Sequence, residues 1–446
     1  MSFARYPEYK DSGVEWLGEV PAHWEVIPLK HLADFVNGHA FKPTEWAESG
    51  ISIIRIQNLN GSEDFNYFDG AVESRYLVHD GDLLFGWSGN RGTSFGPFIW
   101  RNTEVCALNQ HIFRVESYDI ATQALYWILK AVTSHVEDQA HGIIGMVHVT
   151  KGDLGSIRVP IPPKFEYGSI AIFLDHETAQ IDALLAEQEK LIALLKEKRQ
   201  AVISHAVTKG LDPSVPMKKS GVEWLGQVPE HWQIKRVKHL VLILEQGWSP
   251  QCEGFPVQSE EEWGVLKVGC VNGGVFRPQE NKALPPELEP VPELGLTAGD
   301  VLISRANTRE LVGGAAVILR DYPRLMLCDK LYRIRLLPDV CEPVFLALYL
   351  GSDRVRGQIE LAATGASSSM LNIGQSTILE LNLAVPPLDE QQQILKVVAR
   401  QIGTIDVLVK EAQSAITLLQ ERRTALISAA VTGQIDVRSF VSVKAA

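Results

Sequence analysis

The chain contains its own copy. Residues 12–32, SGVEWLGEVPAHWEVIPLKHL, recur as residues 220–240, SGVEWLGQVPEHWQIKRVKHL, with 14 of 21 positions identical. The tetrapeptide Gly81-Asp82-Leu83-Leu84 returns as Gly299-Asp300-Val301-Leu302, and residues 197–212 return as 421–436 with nine of 16 positions identical. A repeat of about half of 446 residues calls for two equivalent units related by a pseudo-two-fold, not one continuous core. The ends of the two copies agree while their middles have drifted. Shared ends suit a common scaffold, and drifted middles suit two sites of one kind with different targets.

Each copy changes character along its length. The front parts, 1–160 and 213–385, carry short apolar runs (ISIIRI, GDLLF, VLISR, AAVILRD) between turn residues, which read as strands. Ala121–Val136 and Val344–Gly351 read as helices, so each front part is a mixed α/β domain. The back parts, 161–212 and 386–446, are rich in Ala, Leu, Ile, Glu, Lys and Gln and read as helical spacers. Steps of three and four residues trace a seam through Ile181, Leu184, Gln188, Leu191, Leu195, Lys198 and Val202. The second copy gives Ile405, Leu408, Ala412, Ala415, Leu419, Arg422 and Leu426. A 3.5-residue repeat keeps two helices in contact, and two copies of one helix pair most naturally antiparallel. Thr208-Lys209-Gly210 and Thr432-Gly433 supply glycine stops, and Asp389 with Gln392 suggests a capping box. Gly403 and the stretch 175–178 are expected to break each region into a short and a long helix. The long one, Thr178–Val207, would span ~45 Å.

Catalytic chemistry is missing. No GxxxxGK[ST], GxSxG or HExxH occurs. None of the proline pairs (162–163, 285–286, 386–387) sits in the tetrapeptide with which amino-methyltransferases grip a flipped base. Glu8-Tyr9-Lys10 has nuclease-like spacing but no upstream Asp partner. His23, His31, His231 and His239 recur at equal spacing without a third metal-type partner, and read as structural. Five separated cysteines (106, 252, 270, 328, 341) without CxxC point to a reducing cytoplasm. No apolar segment of membrane-spanning length is present, and MSFARYPEYKDSG lacks the apolar stretch of a secretory signal.

The duplicated leader SGVEWLG-x-VP-x-HW, the proline pairs before both helical regions and the helix ends AVTKGLD and AVTGQID together resemble the specificity subunit of type I restriction–modification systems, over essentially the whole chain. The resemblance implies two target-recognition domains, each reading half of a bipartite, asymmetric sequence in double-stranded DNA. It implies an α+β (mixed) fold in which two long helices form an antiparallel coiled-coil spacer between those domains. It further implies two methyltransferase subunits bound to this scaffold, restriction subunits joining them, and S-adenosylmethionine, ATP and Mg on those partners, with no cofactor on this chain. Phe165-Glu166-Tyr167-Gly168 departs from the acidic-Gln helix start that Asp389-Glu390-Gln391-Gln392 keeps.

Charge argues the other way at first sight. The net formal charge is −12, divided as −8, −2, −3 and +1 over 1–160, 161–212, 213–385 and 386–446. No segment is a basic clamp, so much of the phosphate neutralisation is expected from partner subunits. Polar and Arg-bearing turns in corresponding places are the candidates for base contact. In the first domain these are Arg55, Gln57, Asn58, Ser88, Asn90, Arg91 and His148, the last in the stretch 142–148. In the second they are Lys267, Asn272, Arg305, Asn307, Arg309, Ser368 and Asn372. Arg91, Arg305 and Arg309 lead, because the Arg fork suits guanine. The competing reading is a non-DNA adaptor, a duplicated scaffold that binds two copies of a partner protein.

Overall fold

A computed structural model describes residues 3–140, 146–367 and 370–440. By contacts the chain forms two units, one of residues 1–189 with 414–446, the other of residues 190–413. Each is built on the same plan.

In the first unit the antiparallel order is Gly96–Ile99, Leu83–Gly86, Ile112–Glu116, Asp34–Asn37. A second sheet runs Asn66–Phe68, Ile51–Ile54, Cys106–Leu108, Leu77–Val78, with its central pair parallel. In the second unit Ala315–Val317, Val301–Ser304, Leu331–Leu336 and Val241–Gln246 repeat the first order. Asn281–Ala283, Gly264–Leu266, Tyr322–Met326 and Gly295–Leu296 repeat the second. The unbroken apolar runs GDLLF and GDVLI follow from burial on both faces. Leu83 and Phe85 point into one core with Leu125, Leu129 and Val132 of the helix Thr122–Gln139, while Leu84 points into another with Ile54 and Leu108. Val301, Ile303 and Leu302 divide in the same way. Period-two alternation is preserved although every residue is apolar.

Two long helices, Lys164–Lys209 and Leu388–Val431, start after the proline pairs and run without a break. This corrects the expected division at Gly403 and 175–178. Each residue there takes helical geometry, and 46 residues span ~69 Å rather than ~45 Å. Asp389 lies inside the helix and Gln392 spends its amide on Glu342, so the expected capping box is absent as well. The glycine stops are present: Gly210 and Gly433 take φ +78° and +74°. The first helix gives residues 164–189 to the first unit and the second helix gives 414–431.

Within each unit the helices run antiparallel. In the first unit Glu166, at the start of one helix, receives the Trp24 indole N–H at 3.1 Å; Gly433, just past the end of the other, packs on the same Trp24 and Pro21. Further along, Asp182 pairs with Arg423 at 2.9 Å. The second unit repeats this with Glu390 on Trp232 at 3.0 Å, Gly210 beside Trp232, and Arg199 paired with Asp406 at 3.4 Å. The leader tryptophans that recur in the two copies, both fully buried, are therefore the anchors that seat two helix termini on each domain.

The seam keeps most of its expected members. Ile181, Leu195, Ile405 and Leu426 are buried and Leu419 packs on the core of the first unit, whereas Leu184, Leu191 and Leu408 are 50%, 42% and 43% exposed. The buried or half-buried line is 181, 185, 188, 192, 195, 199, 202 in one helix and 405, 409, 412, 416, 419, 423, 426 in the other. The period is right and the alternation begins with four rather than three.

Ala at Gly433 is expected to cost more than Ala at Gly210. Both positions carry the ~1 kcal/mol penalty of a left-handed backbone, but a Cβ at 433 would meet Pro21 Cδ at 2.4 Å, while at 210 the nearest atom is 3.4 Å away. Urea unfolding of the two variants measures the difference; equal losses would remove the Pro21 contact from the account.

Candidate nucleic-acid interface

In the first unit the strands Ser88–Asn90 and Met146–His148 pair antiparallel, Ser88 opposite His148 and Asn90 opposite Met146. Gly89 and Val147 are buried, so the pleat turns Asn90, Met146 and His148 outward, with Ser88 half-exposed and its hydroxyl on Met146 Sδ at 3.4 Å. His148 stands edge-on to the Trp87 ring at 4.9 Å. Residues 142–145 of that stretch lie outside the described residues. The Arg91 guanidinium donates to the Glu137 carbonyl in the last turn of Thr122–Gln139, where a cation suits the helix dipole. Arg91 thus stays exposed but is tethered.

The second unit has the equivalent pair, Ala306–Asn307 against Met370–Asn372, extended by Thr364–Ser367. Asn372 stands opposite Ala306. The Asn307 amide reaches Asn272 Oδ1 at 3.4 Å and Ser304 Oγ at 3.3 Å, and its own oxygen accepts from the Thr308 N–H. Arg309 is exposed. Lys267 begins the turn that carries Asn272 and is half-buried. Ser368 lies outside the described residues.

The structure therefore brings together Ser88, Asn90 and His148 in one unit; in the other it joins Asn307 to Asn272 and sets Asn372 next to the Arg305 strand, opposite Ala306. It keeps Arg55 and Gln57 off the strand pair, on a turn after Ile51–Ile54 that lines a cavity with Gln110 and His111, with Arg55 stacked 4.9 Å from the Trp46 ring and bonded to Asn66 at 2.6 Å. Asn58 is corrected. It is buried, its amide serves the Ser62 and Asp64 carbonyls, and its oxygen accepts from the Arg55 N–H. It forms the turn and has nothing left for a base.

A second turn belongs to each face and carried no signal in the sequence. The Trp87 indole N–H donates to the Gln110 carbonyl at 2.9 Å, and the Trp87 backbone N–H to His111. In the second unit the side chain of Arg305 donates to the Asp329 carbonyl at 3.2 Å, and its backbone N–H to Lys330. Trp87 and Arg305 hold the same place, 218 residues apart, and clamp the same turn. Val149 donates to the Trp87 carbonyl as Ile373 does to that of Arg305. One backbone frame thus presents Gln110, His111, Ser88 and His148 in one unit, and Asp329, Lys330 and Asn372 in the other, with Ala306 in the place of Ser88 and Asn307 on the other side of the strand pair. Gln110, His111 and Lys330 are exposed. Among the described residues no cluster of three or more His, Cys, Asp or Glu could hold a metal ion, and no helix is long and apolar enough to cross a membrane.

Residues 21–193 match the family described as type I restriction modification DNA specificity domain. The chain is 22% identical over 451 residues to the specificity subunit of the type I restriction enzyme EcoBI from Escherichia coli, covering 98% of this chain and 92% of that protein. To the EcoEI specificity subunit of Escherichia coli it is 27% identical over 226 residues, 51% of this chain and only 38% of that protein's length. A chain solved in a study of complex assembly and conformational transition of the type I restriction–modification system shares the fold, with TM-score 0.65 at 14% identity over 92% of this chain and 98% of that one. Duplicated leader, paired helices and matched sheets all fall within these matches, so the chain is similar over nearly its whole length to the specificity subunits of type I restriction–modification systems.

Proposed function

We propose that each unit reads one half of a bipartite duplex target through the face made by its strand pair and adjoining turn. Two methyltransferase subunits dock on the paired helices, and restriction subunits join through them. S-adenosylmethionine, ATP and Mg reside on those partners. The assembly works in the cytoplasm, in keeping with five free cysteines. The chain is a specificity subunit and supplies recognition rather than catalysis.

The observation that carries the reading is the pair of faces with one hydrogen-bonded frame and different side chains. A fixed frame with exchanged readers is what two half-sites of different sequence require. The roles follow from the contacts. Arg309 and Lys330, exposed and charged, are the groove-facing cations of the second unit. Arg305, tied to Asp329, positions the turn as Trp87 does. The acidity of residues 1–160 favours the adaptor reading instead, in which the faces bind protein.

Two measurements decide. Co-expression with candidate methyltransferase subunits should yield a complex that retards duplex DNA sequence-specifically; a complex indifferent to sequence would favour the adaptor. Methylation mapped across a random-sequence library should then show that Arg309→Ala relaxes one half-site by ~1–3 kcal/mol and leaves the other intact. Relaxation of both half-sites, or of neither, would take Arg309 off the reading surface.

A further inference from the structure

The first unit contains a cavity of about 260 Å³ lined in part by Phe41, Trp46, Arg55, Gln57, Asn109 and His111. Asn109 is nine-tenths buried, yet its side-chain amide makes no hydrogen bond among the described residues. Its backbone is fully used: the N–H donates to Ile54 at 3.1 Å and the carbonyl accepts from Ile112 at 3.2 Å. Gly38 packs so closely on that carbonyl that a Cβ there would lie 2.2 Å from it. The amide is thus held rigidly beside the cavity with its donors and acceptor unspent.

The walls specify the shape of that ligand. The Arg55 guanidinium lies over the Trp46 ring and is fixed there by Asn66, so cation and ring form one flat platform. Phe41 is buried and adds a further apolar surface. A planar ring with donors and acceptors along one edge satisfies both features. The volume falls just under the ~300 Å³ at which small-molecule sites usually begin, enough for a ring system without sugar and phosphate. His111, exposed, belongs both to this lining and to the turn clamped by Trp87, so the cavity adjoins the reading face.

We propose that this cavity is a nucleobase-binding site, in which the Asn109 amide reads the edge of a base stacked against Arg55 and Trp46. The base is one turned out of the bound duplex, which rests on the DNA reading above, or that of a free nucleoside. The second unit does not repeat the site. Cys328 occupies the place of Asn109, its carbonyl accepting from Leu331 as that of Asn109 accepts from Ile112, and it is buried in an apolar cluster. The site therefore serves one half-site only.

The test uses the assembled methyltransferase complex and duplexes of its mapped target with 2-aminopurine placed at one position at a time. Expected is a several-fold rise in emission at one position of the half-site read by the first unit, lost in Asn109→Leu. Any rise at the base being methylated remains in that variant, and none dependent on Asn109 appears in the other half-site. Asn109→Leu removes an unpartnered amide at similar size and should leave the melting temperature unchanged; His111→Ala, at an exposed residue, should weaken the same signal without touching the core. In a second arm the four free nucleosides are titrated against the full chain by tryptophan emission. Saturable quenching lost in Asn109→Leu, without a position-dependent duplex signal, would keep the site and assign it to a free nucleoside. No Asn109-dependent signal in either arm overturns the proposal. If the complex fails to bind its target at all, the DNA reading falls, and the nucleoside arm still judges the cavity.

Discussion

Arg333→Ala is expected to cost the second unit ~3–5 kcal/mol, the loss typical of breaking a buried ion pair from one side. The guanidinium is 1% exposed and occupies every direction of its fork. It donates to Glu245 at 2.7 Å, to the Gly295 carbonyl at 2.6 Å, to the Glu293 carbonyl at 2.8 Å and to Asp300 at 3.5 Å. Alanine would leave two carbonyls and a carboxylate without their donor and open a cavity in the sheet. Asp300 keeps Arg335 at 2.7 Å, which limits the damage on that side. Arg114 holds the matching place in the first unit, on the Leu77 carbonyl and Glu116, but is more exposed, so Arg114→Ala should cost clearly less. Hydrogen exchange of Val301–Ser304 and Leu331–Leu336 in the variant reads the effect locally. Protection as in the parent chain would mean the network is not what holds the sheet.

The second large effect falls on the helix anchors and should be unequal. Glu166 is fully buried and takes three donors: the Tyr6 hydroxyl at 2.9 Å, His23 Nε2 at 2.7 Å and the Trp24 indole at 3.1 Å. Burial, with the Glu166 carboxylate alongside, pushes the Tyr6 hydroxyl well above its ordinary range, so it stays a donor. Glu390 is 26% exposed and takes two donors, His231 and Trp232. Each stranded buried donor costs ~1–3 kcal/mol, so Glu166→Ala should lose ~3 kcal/mol or more and Glu390→Ala ~1–2. Melting of the two variants ranks them, and the reverse order would show that the pseudo-equivalent anchors are not built as described. These contacts also explain why Phe165-Glu166-Tyr167-Gly168 can depart from the second copy's helix start. The one residue that carries the anchor, Glu166 against Glu390, is retained, and both helices start 224 residues apart.

What the sequence revealed follows the same logic. Glycine stops were legible because only a left-handed residue ends the helices there, and the 3.5 period was legible because Ile181, Leu195, Ile405 and Leu426 repeat it. The phase between them was not. Leu184-Leu185, Leu191-Ile192 and Leu408-Val409 offer an apolar residue to either alternation, and only packing on the domain chooses the second of each pair. Likewise SGNRG and SRANTR advertised themselves through polar residues among glycines and arginines. Gln110-His111 and Asp329-Lys330 look like any short connection between strands, and it takes the long-range bonds from Trp87 and Arg305 to place them on the face.

The division of the chain has a consequence for its synthesis. The second unit is continuous, residues 190–413, whereas the first needs residues 414–446 to complete a fold begun by residues 1–189. Translation proceeds at ~5–20 residues per second, so the amino-terminal domain waits tens of seconds on the ribosome for the helix that carries Arg423, Leu426 and Gly433. The portion made first is the portion finished last. A nascent chain arrested before residue 414 should therefore carry a protease-resistant second unit beside an unfinished first one, and frameshifts near the carboxyl terminus should injure the domain encoded at the opposite end of the gene.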